Sequence, residues 1–147
     1  MADLILNIPR NYEPKLKNRW LLKFPEEFNI HEFCLSKTSR PSITYSNNNI
    51  VRFIQKFILK PKWNNILIEL RDFISPSSTQ LIWGLLESKN KFTYNLELLD
   101  PTGVIIEHWL IKDCEIVSTN FDEINYSHNK LVTITIIVKP KSVKLLF

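Results

Sequence analysis

Two short runs of residues on either side of a tight turn constrain the fold of this 147-residue chain most strongly. In residues 94–98 apolar and polar side chains alternate strictly, which predicts a β-strand with one buried face. The turn Asp100-Pro101-Thr102-Gly103 follows, because proline presets φ at its second position and glycine closes a type I turn. In residues 104–111 both faces are largely apolar, so we expect the second strand to be covered on both sides.

The rest of the chain predicts further strands and one helix. Serines at 75, 77 and 78 can cap a helix that carries Leu81 and Leu85 one turn apart. Because Pro140 cannot donate to a strand ladder, we expect residues 140–147 to be a released basic tail. Residues 1–17 are predicted to be an extended arm, and strands are predicted at 18–24, 33–37, 66–71 and 131–138.

A long hairpin is predicted between Ile43 and Leu59. Asn47, Asn48 and Asn49 form a tract that tolerates left-handed φ, which is typical of a turn tip. The flanking residues are β-prone, so they are interpreted as its two arms. A surface loop without a protruding function remains the alternative. The predicted fold is therefore mainly β: one domain, residues 1–147, forming a β-sandwich or barrel with one packed α-helix and a long protruding hairpin.

The charges are distributed unevenly along the chain, although the net charge is only +4. Residues 33–68 contain no acid, and residues 92–129 contain seven. Either run is usually a solvated face, but two opposite runs also suit head-to-tail self-association between copies. The basic residues are Lys37, Arg40, Arg52, Lys56, Lys60 and Lys62; the acidic residues are Glu97, Asp100, Glu107, Asp113, Glu115, Asp122 and Glu123.

The sequence gives little sign of catalytic chemistry. His31, His108 and His128 have no metal-ligand spacing, and His108 is interpreted as a hydrogen-bonded structural residue. Cys34 and Cys114 are expected to be reduced and buried, and a disulfide between them is the alternative, because residues 80 positions apart can be neighbours in a β fold. We therefore expect no enzyme activity, no metal and no cofactor, and the sequence predicts neither a membrane span nor a secretory signal. A monomeric nucleic-acid-binding β-barrel that uses residues 52–62 is the alternative from another functional class.

The late part of the chain contains Leu99-Asp100-Pro101, Gly103, Glu107, Trp109 and Tyr126-Ser127 in that order, and in this it resembles tail tube proteins of contractile-tailed bacteriophages. In those proteins a Leu-Asp-Pro-x-Gly turn precedes a Glu-x-Trp strand, a Tyr-Ser pair and a β-branched last strand. The resemblance continues upstream through Asn-Arg-Trp at 18–20, Arg40-Pro41 and the helix near Leu81–Leu86. The matching late residues are Leu99, Asp100, Pro101, Gly103, Glu107, Trp109, Tyr126, Ser127 and 133–137.

The resemblance implies a structural virion protein that assembles with itself. Six copies would form a ring, and rings would stack into the inner tail tube through which DNA passes without specific binding. The implied partners are the tail sheath, baseplate and tail-terminator proteins, and the implied location is the virion tail, after synthesis in the bacterial host cytoplasm. A baseplate tube-initiator or a type VI secretion tube protein is the alternative within this fold. The inter-subunit interface candidates are Arg40, Tyr45, Asn47, Asn48, Asn49, Arg52, Lys56, Glu107, Trp109, Asp122 and Glu123.

Overall fold

The computed structural model describes residues 13–45, 47–57 and 62–147, and in these residues the chain is mainly β, as predicted. The predictions for residues 1–12 and 58–61 lie outside the described residues. The helices are α1 (Asn49–Phe57) and α2 (Ser78–Ser88). The strands are β1 (Trp20–Lys23), β2 (Leu35–Thr38), β3 (Ile66–Arg71), β4 (Phe92–Leu99), β5 (Ile105–Phe121), β6 (Thr133–Lys139) and β7 (Ser142–Leu145).

The strands form one antiparallel path in the order β1-β4-β5-β6-β3-β2, with β7 also paired to β5. Strand β5 joins two sheets because its first part pairs with β4 and β7, whereas its last part, residues 115–121, pairs with β6. The two parts meet at Asp113, which has a left-handed φ of 50° next to a register shift. A bulge of this kind bends a strand, and here it turns β5 from one sheet into the other.

The C-terminal segment corrects one prediction. Residues 140–147 are not a released tail, because β7 pairs with β5 from Trp109↔Leu145 to Lys112↔Ser142. Pro140 does end β6, as its missing N–H predicts. The chain resumes pairing one residue later, where the Lys141 N–H donates to the Lys112 carbonyl at 3.2 Å. Strand β7 therefore pairs with residues 109–112 of β5, whereas β6 pairs with residues 115–121 on the other side of the bend at Asp113.

The core lies between the two sheets. Alternating apolar residues of β3 and β6 fill one side of it, and Ile68 and Ile136 face each other there with no exposure. On the other side Tyr94, Leu96 and Ile111 are buried, as the alternation in β4 and β5 predicts. The outer face of β5 is not fully covered, since Ile106 is exposed and Leu110 half-buried. The prediction that both faces of this strand are buried is therefore correct for the inner face of β5 and wrong for its outer face.

Helix α2 confirms the predicted helix and its serine cap. The Ser77 side chain accepts a hydrogen bond from the Gln80 N–H, and the helix starts at the next residue. Ile82 and Leu85 are buried on one side of the helix and belong to the core cluster. Trp83, on the opposite side, is exposed and donates its indole N–H to Glu87 at 2.9 Å.

The predicted long hairpin is wrong in its second arm. Residues 49–57 form α1, and among the described residues of the excursion the bridge Ile43↔Trp63 is the one β-pairing between its two sides. Apolar residues at 50, 53, 54 and 57 have the spacing of one helix face, so this sequence fits the period of an α-helix as well as that of a β-strand. Asn48 decides between them locally, because its side chain accepts hydrogen bonds from Ile50 and Val51 N–H as a helix cap does.

Gly103 provides a direct test of the β4–β5 turn. Its φ is +88°, and its N–H donates to the Asp100 carbonyl at 3.1 Å. No neighbouring atom would clash with an added Cβ, so Gly103→Ala would incur backbone strain alone, about 1 kcal/mol in the free energy of unfolding. Gly84→Ala is the matched control. It lies inside α2 with equally open space, and alanine there should stabilise by about 0.5–1 kcal/mol. Thermal unfolding that shifts both variants in the same direction would contradict this turn conformation.

Candidate assembly interface

Three of the predicted interface residues meet around one buried carboxylate within a single chain. Glu107, on β5, is 6% exposed. It accepts hydrogen bonds from Lys15 Nζ at 2.6 Å and from the Trp109 indole N–H at 2.5 Å. One guanidinium nitrogen of Arg40 lies 3.3 Å from each carboxylate oxygen. The Arg40–Glu107 pair also joins the basic run of the sequence to the acidic run inside one copy.

The electrostatics of this cluster favour the charged carboxylate. Burial by itself raises the pKa of Glu107, but the hydrogen bonds from Lys15, Trp109 and Arg40 outweigh it, so its pKa lies below the ordinary value. Both cationic side chains are about half exposed, at 49% for Lys15 and 59% for Arg40. Their effect is therefore partly screened by water. The cluster therefore joins Lys15 and Arg40 to β5.

A cleft of about 450 Å³ opens beside this cluster, between β1 and β2. We call it the seam cleft, because β1 and β2 are the two ends of the strand path. Apolar side chains of Trp20, Leu96 and Leu98 contribute to its wall. Four cationic residues also line it: Lys15, Lys17, Lys37 and Arg40. The cleft thus combines an apolar wall with positive charge.

The Asn-rich turn and α1 carry the second group of predicted interface residues. Tyr45, Asn47 and Arg52 are exposed, and Asn48 and Asn49 lie where α1 begins. Lys56 belongs to α1, but its side chain is outside the described part of the structure. The helix also exposes Ile50 (72%) and Phe53 (56%), so this segment presents apolar as well as polar surface.

The last two predicted residues lie in the β5–β6 loop, residues 122–132. Asp122 accepts hydrogen bonds from the Glu123 N–H at 2.9 Å and, more weakly, from Thr133 at 3.4 Å. Glu123 itself is exposed. The structure therefore separates the predicted residues into three groups: the Glu107 cluster, the α1 segment and the β5–β6 loop. Whether any of them contacts another copy stays a prediction.

Sequence reasoning missed two features of the candidate interface. Lys15 lies in the segment predicted to be an arm, and only its contact with Glu107 reveals a role. The alternation in residues 94–98 predicts that Glu97 lies on the polar face of β4, yet it is 5% exposed, with Lys23 Nζ at 3.5 Å from Oε2. The strand register could have indicated this ion pair, because Lys23 and Glu97 lie on the adjacent antiparallel strands β1 and β4.

His108 and the two cysteines have the environments of structural residues. His108 Nε2 is 2.9 Å from the Asn95 side-chain oxygen on the neighbouring strand. Cys34 and Cys114 are free and buried, as predicted, and burial raises the pKa of the Cys114 thiol to about 12. Within the described residues, no three His, Cys, Asp or Glu side chains group as metal ligands. None of the helices in the described part has the length and apolar character needed to cross a membrane.

Several solved structures contain chains with the same fold as this chain. A chain in an extracellular contractile injection system, in a structure of the PVC sheath/tube terminator, superposes with a TM-score of 0.69. It is 12% identical, and the match covers 93% of this chain and 99% of that chain. A chain in the anti-feeding prophage tube-terminating cap has a TM-score of 0.64 at 12% identity, covering 99% and 98%. Hcp1 from Flavobacterium johnsoniae has a TM-score of 0.58 at 10% identity, covering 87% and 94%.

The sequence matches no protein-family model and no curated protein. At identities of 10–12% the structural matches establish the fold alone. The shared fold agrees with the resemblance seen in the sequence at the level of fold.

Proposed function

We propose that this chain is a structural subunit that assembles with copies of itself into six-membered rings. The rings stack as the inner tube of a contractile tail, and the tube conducts DNA during ejection. All 147 residues act as one tube domain. The fold shared with components of contractile injection systems supports a structural role in such a tube.

One observation about the sheet carries the proposal. Residues 115–121 of β5 pair with β6 along one edge, and no other described strand pairs with their second edge. The segment exposes Val117 and Phe121. A long open strand edge is a template for pairing with another chain, and monomeric proteins usually block it. Sheet continuation between copies, closing into a ring, satisfies this edge.

The proposal also names partners and surfaces. A tail sheath surrounds the tube, and baseplate and terminator proteins contact its two ends. The Asn-rich turn and α1 contact the neighbouring ring, and DNA crosses the lumen without specific binding. These assignments follow the resemblance to phage tail tubes. The exposed apolar residues of α1 support the ring contact, because such surface is stabilised by burial against a partner.

A second candidate within the fold is a ring that ends or starts the tube. The similarity to chains in terminator, cap and baseplate structures favours it. The two candidates differ in elongation, since a tube subunit forms stacks of many rings and an end subunit stops at one or two. A protein that instead remains monomeric and retards labelled DNA would support a nucleic-acid-binding barrel.

The test is to image the purified chain without nucleic acid by negative-stain electron microscopy, alongside sedimentation velocity. We expect rings and stacked tubes. Val117→Lys places a charge at the open β5 edge and should prevent ring formation, while the free energy of unfolding of the subunit changes by less than about 0.5 kcal/mol. Val104→Lys, at an exposed valine beside the β4–β5 turn, is the matched control and should assemble normally. A wild-type chain that stays monomeric at all concentrations would refute the proposed function.

A further inference from the structure

We infer that the seam cleft of one copy receives the β5–β6 loop of the next copy. Ile124 would enter against the apolar wall, and Glu123 would meet the cationic rim. The inference rests on the proposed function and makes it specific, because it assigns a contact that joins neighbouring copies. It uses surfaces other than the open β5 edge, namely the cleft between β1 and β2 and the loop that follows residue 121.

The seam cleft has both parts of a site for an apolar side chain next to an acid. Trp20, Leu96 and Leu98 offer apolar surface inside the cleft. Lys15 and Arg40 are already engaged by Glu107. Lys17 and Lys37 are exposed, and no described carboxylate lies within ion-pair distance of either one. Two cations at the rim are therefore available to an incoming acid.

The β5–β6 loop has the complementary chemistry and a defined shape. The Asn125 side chain accepts hydrogen bonds from the Ser127 N–H at 3.0 Å and its hydroxyl at 2.7 Å. This Asx turn orders the backbone directly after Ile124, and the Asp122 side chain accepts a hydrogen bond from the adjacent Glu123 N–H at 2.9 Å. Between them Ile124 is 90% exposed. An isoleucine held in solvent next to Glu123 gains by burial in an apolar, cationic cleft.

The topology places cleft and loop on opposite sides of the strand path. The cleft lies between β1 and β2, the first and last strands, whereas the loop joins β5 to β6 at the middle of the path. The exposure of Ile124 shows that the loop does not fill its own cleft. The contact is therefore head-to-tail between copies. A head-to-tail contact that repeats by a fixed rotation closes into a ring.

Truncation of the isoleucine tests the apolar part. Ile124→Ser should raise the protein concentration needed for ring formation at least tenfold, as measured by sedimentation velocity. Ile74→Ser, at another fully exposed isoleucine, should leave that concentration unchanged. Wild-type rings with an unaffected Ile124→Ser variant overturn this contact and leave the tube function standing. A wild-type chain that never assembles overturns the tube function and this contact together.

Charge reversal tests the polar part. Lys37→Glu and Glu123→Lys should each weaken ring formation at low salt. The double variant should regain it, and so should an equimolar mixture of the two single variants, because each cleft then meets a loop of opposite charge. Failure of both the double variant and the mixture to recover would contradict the pairing of these residues.

Cysteine cross-linking identifies the occupant of the cleft. A Lys37→Cys chain mixed with an Ile124→Cys chain should form a disulfide-linked dimer under mild oxidation, whereas the native cysteines are buried. A Lys37→Cys chain mixed with a Thr102→Cys chain is the control, since Thr102 lies on the β4–β5 turn. Equal cross-linking in both mixtures, or none in the first, would show that the cleft holds something else, such as residues 1–12 of the chain or another protein.

Discussion

Trp109→Ala is expected to lower the free energy of unfolding by about 3 kcal/mol, the low end for removing a core tryptophan because the side chain is half-buried. Trp109 packs against the core from β5, where it lies opposite Leu96. Its indole N–H also donates to Glu107, so the variant removes a hydrogen bond from a buried carboxylate. Urea denaturation of the subunit at constant m-value measures the loss.

Trp83→Ala is the matched control for this prediction. Trp83 is 54% exposed on α2, and its N–H bonds only to Glu87 one turn further along. We expect a loss of less than about 1 kcal/mol there. A Trp109→Ala chain as stable as the control, but unable to assemble, would place this tryptophan in an interface rather than in the subunit core.

Glu107→Gln is expected to lower the free energy of unfolding by about 1–2 kcal/mol at pH 7. Hydrogen bonds to a charged group contribute more than neutral ones, but Lys15 and Arg40 are half exposed, which reduces the loss. The native pKa of Glu107 is lowered, so near pH 4 the unfolded state binds more protons than the native state. The stabilisation is therefore complete above the unfolded pKa of about 4.3 and disappears as the pH falls through the native pKa.

The pH dependence of stability tests the environment assigned to Glu107. The difference in unfolding free energy between wild type and Glu107→Gln should shrink steadily as the pH is lowered from 6 towards 3. Glu97→Gln is the control, since Glu97 is as deeply buried but has one oxygen that accepts no hydrogen bond from the described residues. At pH 7 the Glu97→Gln variant should lose less unfolding free energy than Glu107→Gln, because Lys23 Nζ approaches Glu97 Oε2 only to 3.5 Å. Parallel pH profiles for wild type and Glu107→Gln would contradict the role assigned to Lys15, Arg40 and Trp109.

The charge pattern of the sequence was informative about the candidate interface, but it did not locate individual contacts. The acidic run includes Glu107 and Glu123, which have opposite environments: one is buried among cations and the other is exposed on a loop. The sequence does not reveal which of the two glutamates is buried, because the Lys15 that contacts Glu107 lies 92 positions away in the chain. Long-range pairing of this kind depends on how the sheets fold over each other.

The sequence alone determined the elements that local interactions specify. Strict alternation identified β3 and β4, a serine and a leucine stripe identified α2, and Asp100 to Gly103 identified the turn, because each signal acts within a few residues. The sequence pattern left residues 49–57 undecided because it fits both periods, and the structure has a helix there with a local cap at Asn48. Only the tertiary structure decided the pairing of β7, the bend of β5 at Asp113 and the burial of Glu97 and Glu107. These depend on neighbours from distant parts of the chain, whose arrangement no local pattern encodes.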